Sequence, residues 1–249
     1  MTTSKNWDRH VCDAEEIARL PGFIDLRDRI VSGLEPGADD IVVDIGAGTG
    51  LLALELARKV GRVWAVDISP AMLGYLAAKA ESAELGNVRC VVASAVSLPL
   101  VDESVDLAVS NYCFHHLSDD GKERAISEIA RVLRPGGRVV FGDMMFRLGL
   151  RESRDRRLIA TKARSLASRG VPGMVRLARN GLRVATRRWE RPASAQWWEA
   201  ALTAAGFVDV GVEVLEHEGG IAWGYKRAAN ALTVDAPEGA DILQSAAHG

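Results

Sequence analysis

The chain has 249 residues, 48% hydrophobic and 26% charged, and a formal net charge of −2. That length fits one substantial α/β core better than two. No apolar run approaches the ~20 residues of a membrane span, and the N-terminus MTTSKNWDRH has no apolar stretch to read as a signal peptide, so a cytoplasmic location is expected. Cys12, Cys90 and Cys113 are odd in number and widely separated, which argues against a disulfide framework and a zinc site.

In chain order, DAEEIARL and GFIDLRDRIVSGL read as two short helices broken at Pro21-Gly22, followed by the turn EPGADD. Apolar strands then alternate with helical patterns: strands at 41–45, 63–68, 88–93, 105–110 and, after the turn RPGG, 138–143, and helices near 50–59, 70–85 and 119–133. The near-continuous Val/Ile runs suit strands buried on both faces of a parallel sheet. The segment from Arg147 to Arg191 breaks this rhythm. It carries 14 basic and 3 acidic residues and reads as a basic helical insertion interrupted at 170–173. A helix near 193–205 and two strands near 207–215 and 221–226 follow, the strands joined as a hairpin by EHEGG. The expected organisation is a single domain over 1–227, with a helical cap at 1–36 and a basic lid at 146–192. Residues 228–249, which lack aromatics and periodicity, read as a disordered tail.

The stretch VVDIGAGTG ends the first strand and opens a helix. Gly46, Gly48 and Gly50 allow a tight turn and a close approach of backbone to ligand, and the helix start behind them offers N–H groups to an anion such as an amino-acid carboxylate. Asp67 closes the second strand, where a carboxylate can bind both hydroxyls of a ribose. The spacing is G-x-G-x-G rather than the dinucleotide pattern G-x-G-x-x-G. Asp44, two residues before the first glycine, would repel a pyrophosphate but suits the ammonium of a methionine moiety.

Four blocks, VVDIGAGTG, AVDISPAML, SLPLVDESVDLAVSNYCFHHL and EIARVLRPGGRVVF, stand in order over about 100 residues. In this the chain resembles the class I methyltransferases that use S-adenosylmethionine (SAM), in particular the subgroup containing ubiquinone and menaquinone biosynthesis enzymes. The resemblance implies a doubly wound, Rossmann-like α/β fold: a seven-stranded, mostly parallel sheet ordered 3-2-1-4-5-7-6 with an antiparallel C-terminal hairpin. It implies that Gly46, Gly48 and Gly50 line the methionine and ribose of SAM, that Asp44 bonds the amino group and that Asp67 holds the ribose hydroxyls. Ile68 and Met72 would pack beside adenine, although Met72 also reads as helix–sheet core. Ser94 stands where the family usually has an aspartate accepting from the adenine amino group; the Ala95 N–H would face the ring, and Asn111 would lie near the transferred methyl. A SAM-binding protein without catalysis, in which the Ser94 departure signals decay, is the alternative.

Methyl transfer to O, N or C of an acceptor is an in-line displacement, so alignment and exclusion of water come first, and a general base matters only for an acceptor that loses a proton. Asp143, at the end of the fifth strand, and His116, after the fourth, are the catalytic candidates; His115 and Tyr112 stand beside His116, and a loop-capping Asp143 is the plainer reading. NYCF lacks the prolines of the Asn-Pro-Pro-aromatic step of base and amide methyltransferases, which argues against a nucleobase acceptor. A small-molecule, lipid-like or quinone-like acceptor is expected. Arg176, Arg179, Arg183 and Arg187 share one helix face, so the basic segment reads either as a lid with solvated arginines or as a lid resting on an anionic membrane. It lacks the interleaved aromatics that would stack nucleic-acid bases, and RNA methylation is the less favoured alternative.

Overall fold

In the computed structural model, residues 6–145, 191–215 and 219–228 are described, with four single positions between 157 and 170. Apart from those positions, the basic segment read as a lid lies outside the described residues, as does the chain beyond 228.

Seven strands form one sheet: β1 (Ile41–Ile45), β2 (Arg62–Asp67), β3 (Val88–Val92), β4 (Val105–Asn111), β5 (Leu133–Met144), β6 (Phe207–Val214) and β7 (Gly219–Lys226). Their order is β3-β2-β1-β4-β5-β7-β6, as the resemblance implies. Strands β1 to β5 are mutually parallel, and β7 runs antiparallel between β5 and β6. The side-chain period of two sends Val42 to one face and Val43 and Ile45 to the other. Val42 joins a cluster with Leu26 and Ile30 of α2 (Pro21–Leu34), Leu56 of α3 (Ala53–Leu56) and Leu76 of α4 (Pro70–Ser82). Val43 and Ile45 pack with Ile126 and Ile129 of α5 (Asp119–Val132) and Trp198 and Leu202 of α6 (Ala195–Ala204). A further helix, α1 (Val11–Ala18), precedes α2 and buries no residue fully.

Local signals account for most boundaries. Ser69 caps α4 by accepting the Met72 N–H at 3.2 Å, with Pro70 in the first turn. Ser118 caps α5 in the same way through the Gly121 N–H at 3.1 Å, and Asp119 and Asp120 complement the helix dipole. Three expectations shift. Pro21 opens α2 rather than only interrupting the N-terminal helices, which suits its fixed φ. The helix after the glycine turn contracts to α3, only four residues long. The RPGG step, read as a turn, lies inside β5, where Leu133 already pairs with Val105 and the register then shifts before Leu107. Gly137 permits that path, because a Cβ there would meet the Asp106 carbonyl oxygen at 2.7 Å.

Two devices place the carboxyl edge of the sheet. Helix α2 seats on β5 above Gly142, where a Cβ would lie 3.0 Å from both Leu26 and Ile30 methyls. Arg131 of α5 donates to the Leu98 and Leu100 carbonyls at 2.9 and 2.8 Å and pairs with Glu128, which accepts the Leu98 N–H. This fastens the β3–β4 connection to the helix.

Among the described residues Trp198 is the largest fully buried side chain, and it packs on Phe114 and Phe141 with ring centroids 5.8 and 4.8 Å away. Trp198→Ala should cost about 3–5 kcal/mol by opening a cavity. Urea unfolding followed by circular dichroism measures it, and a loss below about 1 kcal/mol would contradict this packing.

Candidate functional site

The carboxyl ends of β1, β2, β4 and β5 meet along one edge, where doubly wound sheets place ligands. The chain leaves β1 through Gly46, Gly48 and Gly50, with φ of +73°, +52° and +93°. The outer two have no room for a side chain: a Cβ on Gly46 would collide with the Cys113 side chain, and one on Gly50 with Leu76. At Gly48 only the Gly46 carbonyl comes within 4.0 Å of a built Cβ, so this part of the turn is open.

Asp44 is buried behind the turn, and its Oδ2 has no hydrogen-bond partner. Burial pushes its carboxyl up to about 7, and the nearby Asp67 charge adds to the shift, while a hydrogen bond from the Ala53 backbone opposes it. An unpartnered buried carboxylate oxygen is costly, and a cationic donor would complete it. Asp67 accepts the Gly48 N–H at 2.9 Å and the Ser69 N–H at 2.8 Å, one on each oxygen. Those bonds leave further lone pairs on both oxygens, the arrangement that two vicinal hydroxyls require. Burial raises the Asp67 carboxyl, and Asp8 also raises it, while the backbone donors hold it down.

Ile68 is 55% exposed beside this carboxylate, whereas Met72 is buried in the helix–sheet layer. Ser94 accepts the Val96 N–H at 3.4 Å and bridges to Ser97, and Ala95 packs partly buried against the α5 side of the core. Asn111 ends β4, and its Oδ1 is buried without a partner.

Tyr112, in the left-handed region at φ +51°, turns the chain out of β4 while its N–H still donates to the Gly142 carbonyl. Burial and the Asp143 charge push its phenol up to about 12. The turn delivers His115 to Asp143. The Asp143 carboxylate is wholly buried and accepts the His115 backbone N–H at 3.0 Å and the Met144 N–H at 2.6 Å, and its Oδ1 lies 2.6 Å from the His115 Nδ1. His116 is exposed, with its ring centroid 3.9 Å from that of His115 and 4.6 Å from that of Trp7. The structure therefore joins Asp143 to His115 and puts His116 under the N-terminal segment.

That segment also supplies residues the sequence reading missed. Asp8 accepts from the Ser69 hydroxyl and, at 3.3 Å, from the Ala71 N–H, so it reinforces the start of α4 beside Asp67. Glu15 pairs with Lys79, which donates to the Thr49 carbonyl in the glycine turn at 3.1 Å. These partners lie 30 to 64 residues apart in sequence, and no local pattern signals them.

Fold and site together define a doubly wound protein whose switch-point crevice has the polar groups that fit an aminoacyl nucleoside. Residues 42–137 match the family model of a methyltransferase domain. An uncharacterized methyltransferase of Geobacillus kaustophilus is 33% identical over 148 residues, 58% of this chain and 64% of that protein. A malonyl-[acyl-carrier protein] O-methyltransferase of Methylococcus capsulatus is 43% identical over 102 residues, 40% of this chain and 36% of that protein. The chain thus spans less than two thirds of the length of either relative. A SAM-dependent methyltransferase structure from Aquifex aeolicus superimposes with a TM-score of 0.61 at 20% identity, covering 87% of this chain and 98% of that one, which shows the shared fold. Residues 42–137 thus match a methyltransferase domain, the chain shares the fold of a SAM-dependent methyltransferase, and both support SAM as the cofactor. The unpartnered Asp44 oxygen fits the SAM ammonium, and Asp67 fits its ribose.

Because burial lifts Asp44 above its unfolded value of 3.8, its destabilising effect on the free protein is absent below about pH 4 and grows as pH rises to about 7. An ammonium ligand needs the ionised form, so SAM affinity should rise roughly tenfold per pH unit between about pH 5 and 7 and then level off. Asp44→Asn should remove that slope. Calorimetric titrations across this range check it, and a slope that survives in the variant would take the ammonium away from Asp44.

Proposed function

We propose that this protein transfers the methyl group of SAM to O, N or C of a small-molecule or lipid-like acceptor. The observation that carries the reading is the incomplete Asp44 carboxylate set behind an open glycine turn, with Asp67 across from it. When bound, SAM would supply a methyl group on a sulfonium sulfur that leaves as a neutral thioether. The chain's own residues then have three tasks. Asp44 and the glycine turn fix the amino-acid end, while Asp67 fixes the ribose, which orients the methyl toward the mouths of β4 and β5. Trp7, packed on His116, and α1, tied down through Glu15 and Lys79, cover the same edge and exclude water.

The acceptor side is read from less. The malonyl-[acyl-carrier protein] O-methyltransferase supports an oxygen acceptor, though its match covers only 40% of this chain. The basic 147–191 segment, with its excess of arginine, supports a lid that meets an anionic membrane surface and takes up an apolar acceptor there. Among the described residues no helix is long and apolar enough to cross a membrane. We read residues 1–227 as one domain, with 146–192 over the acceptor.

Equilibrium binding followed by turnover tests the assignment. SAM should bind in the micromolar range while NAD does not, and incubation with methyl-tritiated SAM and a cell extract should label one extract component and release S-adenosylhomocysteine. Binding without labelling would leave a SAM-binding protein instead of an enzyme. Asp67→Ala removes both ribose bonds and should weaken SAM binding about 100-fold or more. The variant also frees the Gly48 and Ser69 N–H groups, so its thermal unfolding belongs beside the titration; an unchanged affinity in the folded variant would remove the ribose assignment.

A further inference from the structure

We propose that His115, oriented by Asp143, is the general base of the transfer, so that the acceptor is one that gives up a proton as it is methylated. The inference rests on the methyltransferase reading above and narrows its acceptor class.

The Asp143 carboxylate sits at the end of β5 with no exposed surface, and three donors of one short segment pair surround it. Its Oδ2 takes the His115 backbone N–H, and its Oδ1 takes the Met144 N–H and faces the ring Nδ1 of His115 at 2.6 Å. An ionised carboxylate can only accept, so it makes Nδ1 the donor, and the ring in its neutral form then carries its lone pair at Nε2. A histidine whose tautomer is fixed by a buried carboxylate is the arrangement a proton acceptor requires. The His115 side chain retains 6% of its surface, and Asp143 lies against its Nδ1, so the opposite Nε2 edge is the one turned away from that carboxylate.

The other groups around the ring fit this role less well. Tyr112 lies 5.9 Å away between centroids and is held in its protonated form by burial. The thiol of Cys113 is also pushed up by burial and by Asp143, and it packs against Gly46. His116 packs against the ring at a 52° tilt and is itself in contact with Trp7. On the remaining side the His115 carbonyl accepts the Arg191 N–H at 2.7 Å, which ties the segment down by its backbone and leaves the imidazole uninvolved. Asp143 is a positioning residue in this scheme, and His115 is the catalytic one.

The step balances simply. Nε2 takes the proton from the acceptor X–H as the X–CH3 bond forms, and the S–CH3 bond breaks with its electron pair passing to sulfur. The positive charge of the sulfonium thereby reappears on His115, next to Asp143. An acceptor lacking a removable proton, such as a tertiary amine, gains nothing from this pair.

One arm of the test needs no acceptor. The full chain, saturated with S-adenosylhomocysteine, is treated with diethyl pyrocarbonate, which acylates an unprotonated imidazole nitrogen, and fragment mass spectrometry separates His115 from His116. Modification of His115 is expected in the wild type. In D143A the ring loses the acceptor that holds its proton on Nδ1, so the Nε2–H form gains population and the modification rate should fall several-fold, with thermal unfolding of the variant measured beside it. An unmodified His115, or equal rates in the two proteins, overturns the proposal. A second arm compares phenol with N,N-dimethylaniline as probe acceptors. H115Q should lose about 100-fold in kcat with phenol, with S-adenosylhomocysteine affinity within threefold of wild type and transfer to dimethylaniline unaffected. Full phenol turnover in H115Q also overturns it. If neither probe is methylated, the modification arm decides. Failure of the wild type to bind S-adenosylhomocysteine would sink the methyltransferase reading itself, a different outcome from either of these.

Discussion

The carboxylate of Asp44 at the end of the central strand is the constraint around which the rest of the site is arranged. Strand β1 is flanked by β2 and β4 and covered on both faces, so a side chain at its last positions must be buried. A carboxylate there lacks water and receives only part of its complement of donors, which costs several kcal/mol before relaxation. The free protein relieves much of that by holding a proton, which is what a carboxyl shifted to about 7 means. Ligand binding reverses the situation. A cation that reaches Oδ2 gains an interaction that water would otherwise have weakened, and the protein loses an unsatisfied group. The cost in the empty state and the selectivity for an ammonium have the same origin.

The turn that brings the ligand to Asp44 is held from outside its own sequence. The Gly48 N–H is bound by Asp67 from the next strand, and the Thr49 carbonyl by Lys79 from α4. Cys113 fills the space that a Gly46 side chain would need. Glu15 and Asp8 then anchor the N-terminal segment to the same two places, the lysine and the start of α4. The cap is therefore bonded to both halves of the cofactor crevice instead of merely lying over it. A ligand that orders the turn also orders the cap's attachment points, so the two are linked through shared hydrogen bonds.

The sheet and its order were legible because a strand buried on both faces writes itself as a Val/Ile run, as at β1 and β4, and because four blocks in fixed order carry the resemblance. Asp44, Asp67 and the glycines were legible for a related reason: each lies within a few residues of a strand end, so its place follows from the element it closes. RPGG was misread since Gly and Pro signal a turn locally, while the pairing of Leu133 with Val105 is a tertiary fact. The length of α3 likewise depends on how tightly the glycine turn must close before a helix can begin. Asp143 stood out in sequence as a carboxylate released at a sheet edge, but its partner did not. The choice between His115 and His116 depends on a positive φ at Tyr112, which a tyrosine gives no reason to expect.

This difference between the two sides of the crevice has a physical basis. On the proposed reading, SAM is held by charges and backbone donors at positions fixed by β1 and β2, and a drift of those positions would lose the ribose or the ammonium. The SAM-dependent methyltransferase structure from Aquifex aeolicus shares the fold at 20% identity, as expected where strand faces ask only for apolar, β-branched bulk. The acceptor side asks for shape, proximity and, where a proton must leave, one oriented base. Asp143 meets that last need from inside the sheet, where β5 is already rigid and paired on both edges. Placing the orienting carboxylate on the scaffold and the histidine on the adjoining short turn separates precision from variability: the chain between β4 and α5 can change with the acceptor while the group that aligns its imidazole stays where the fold puts it.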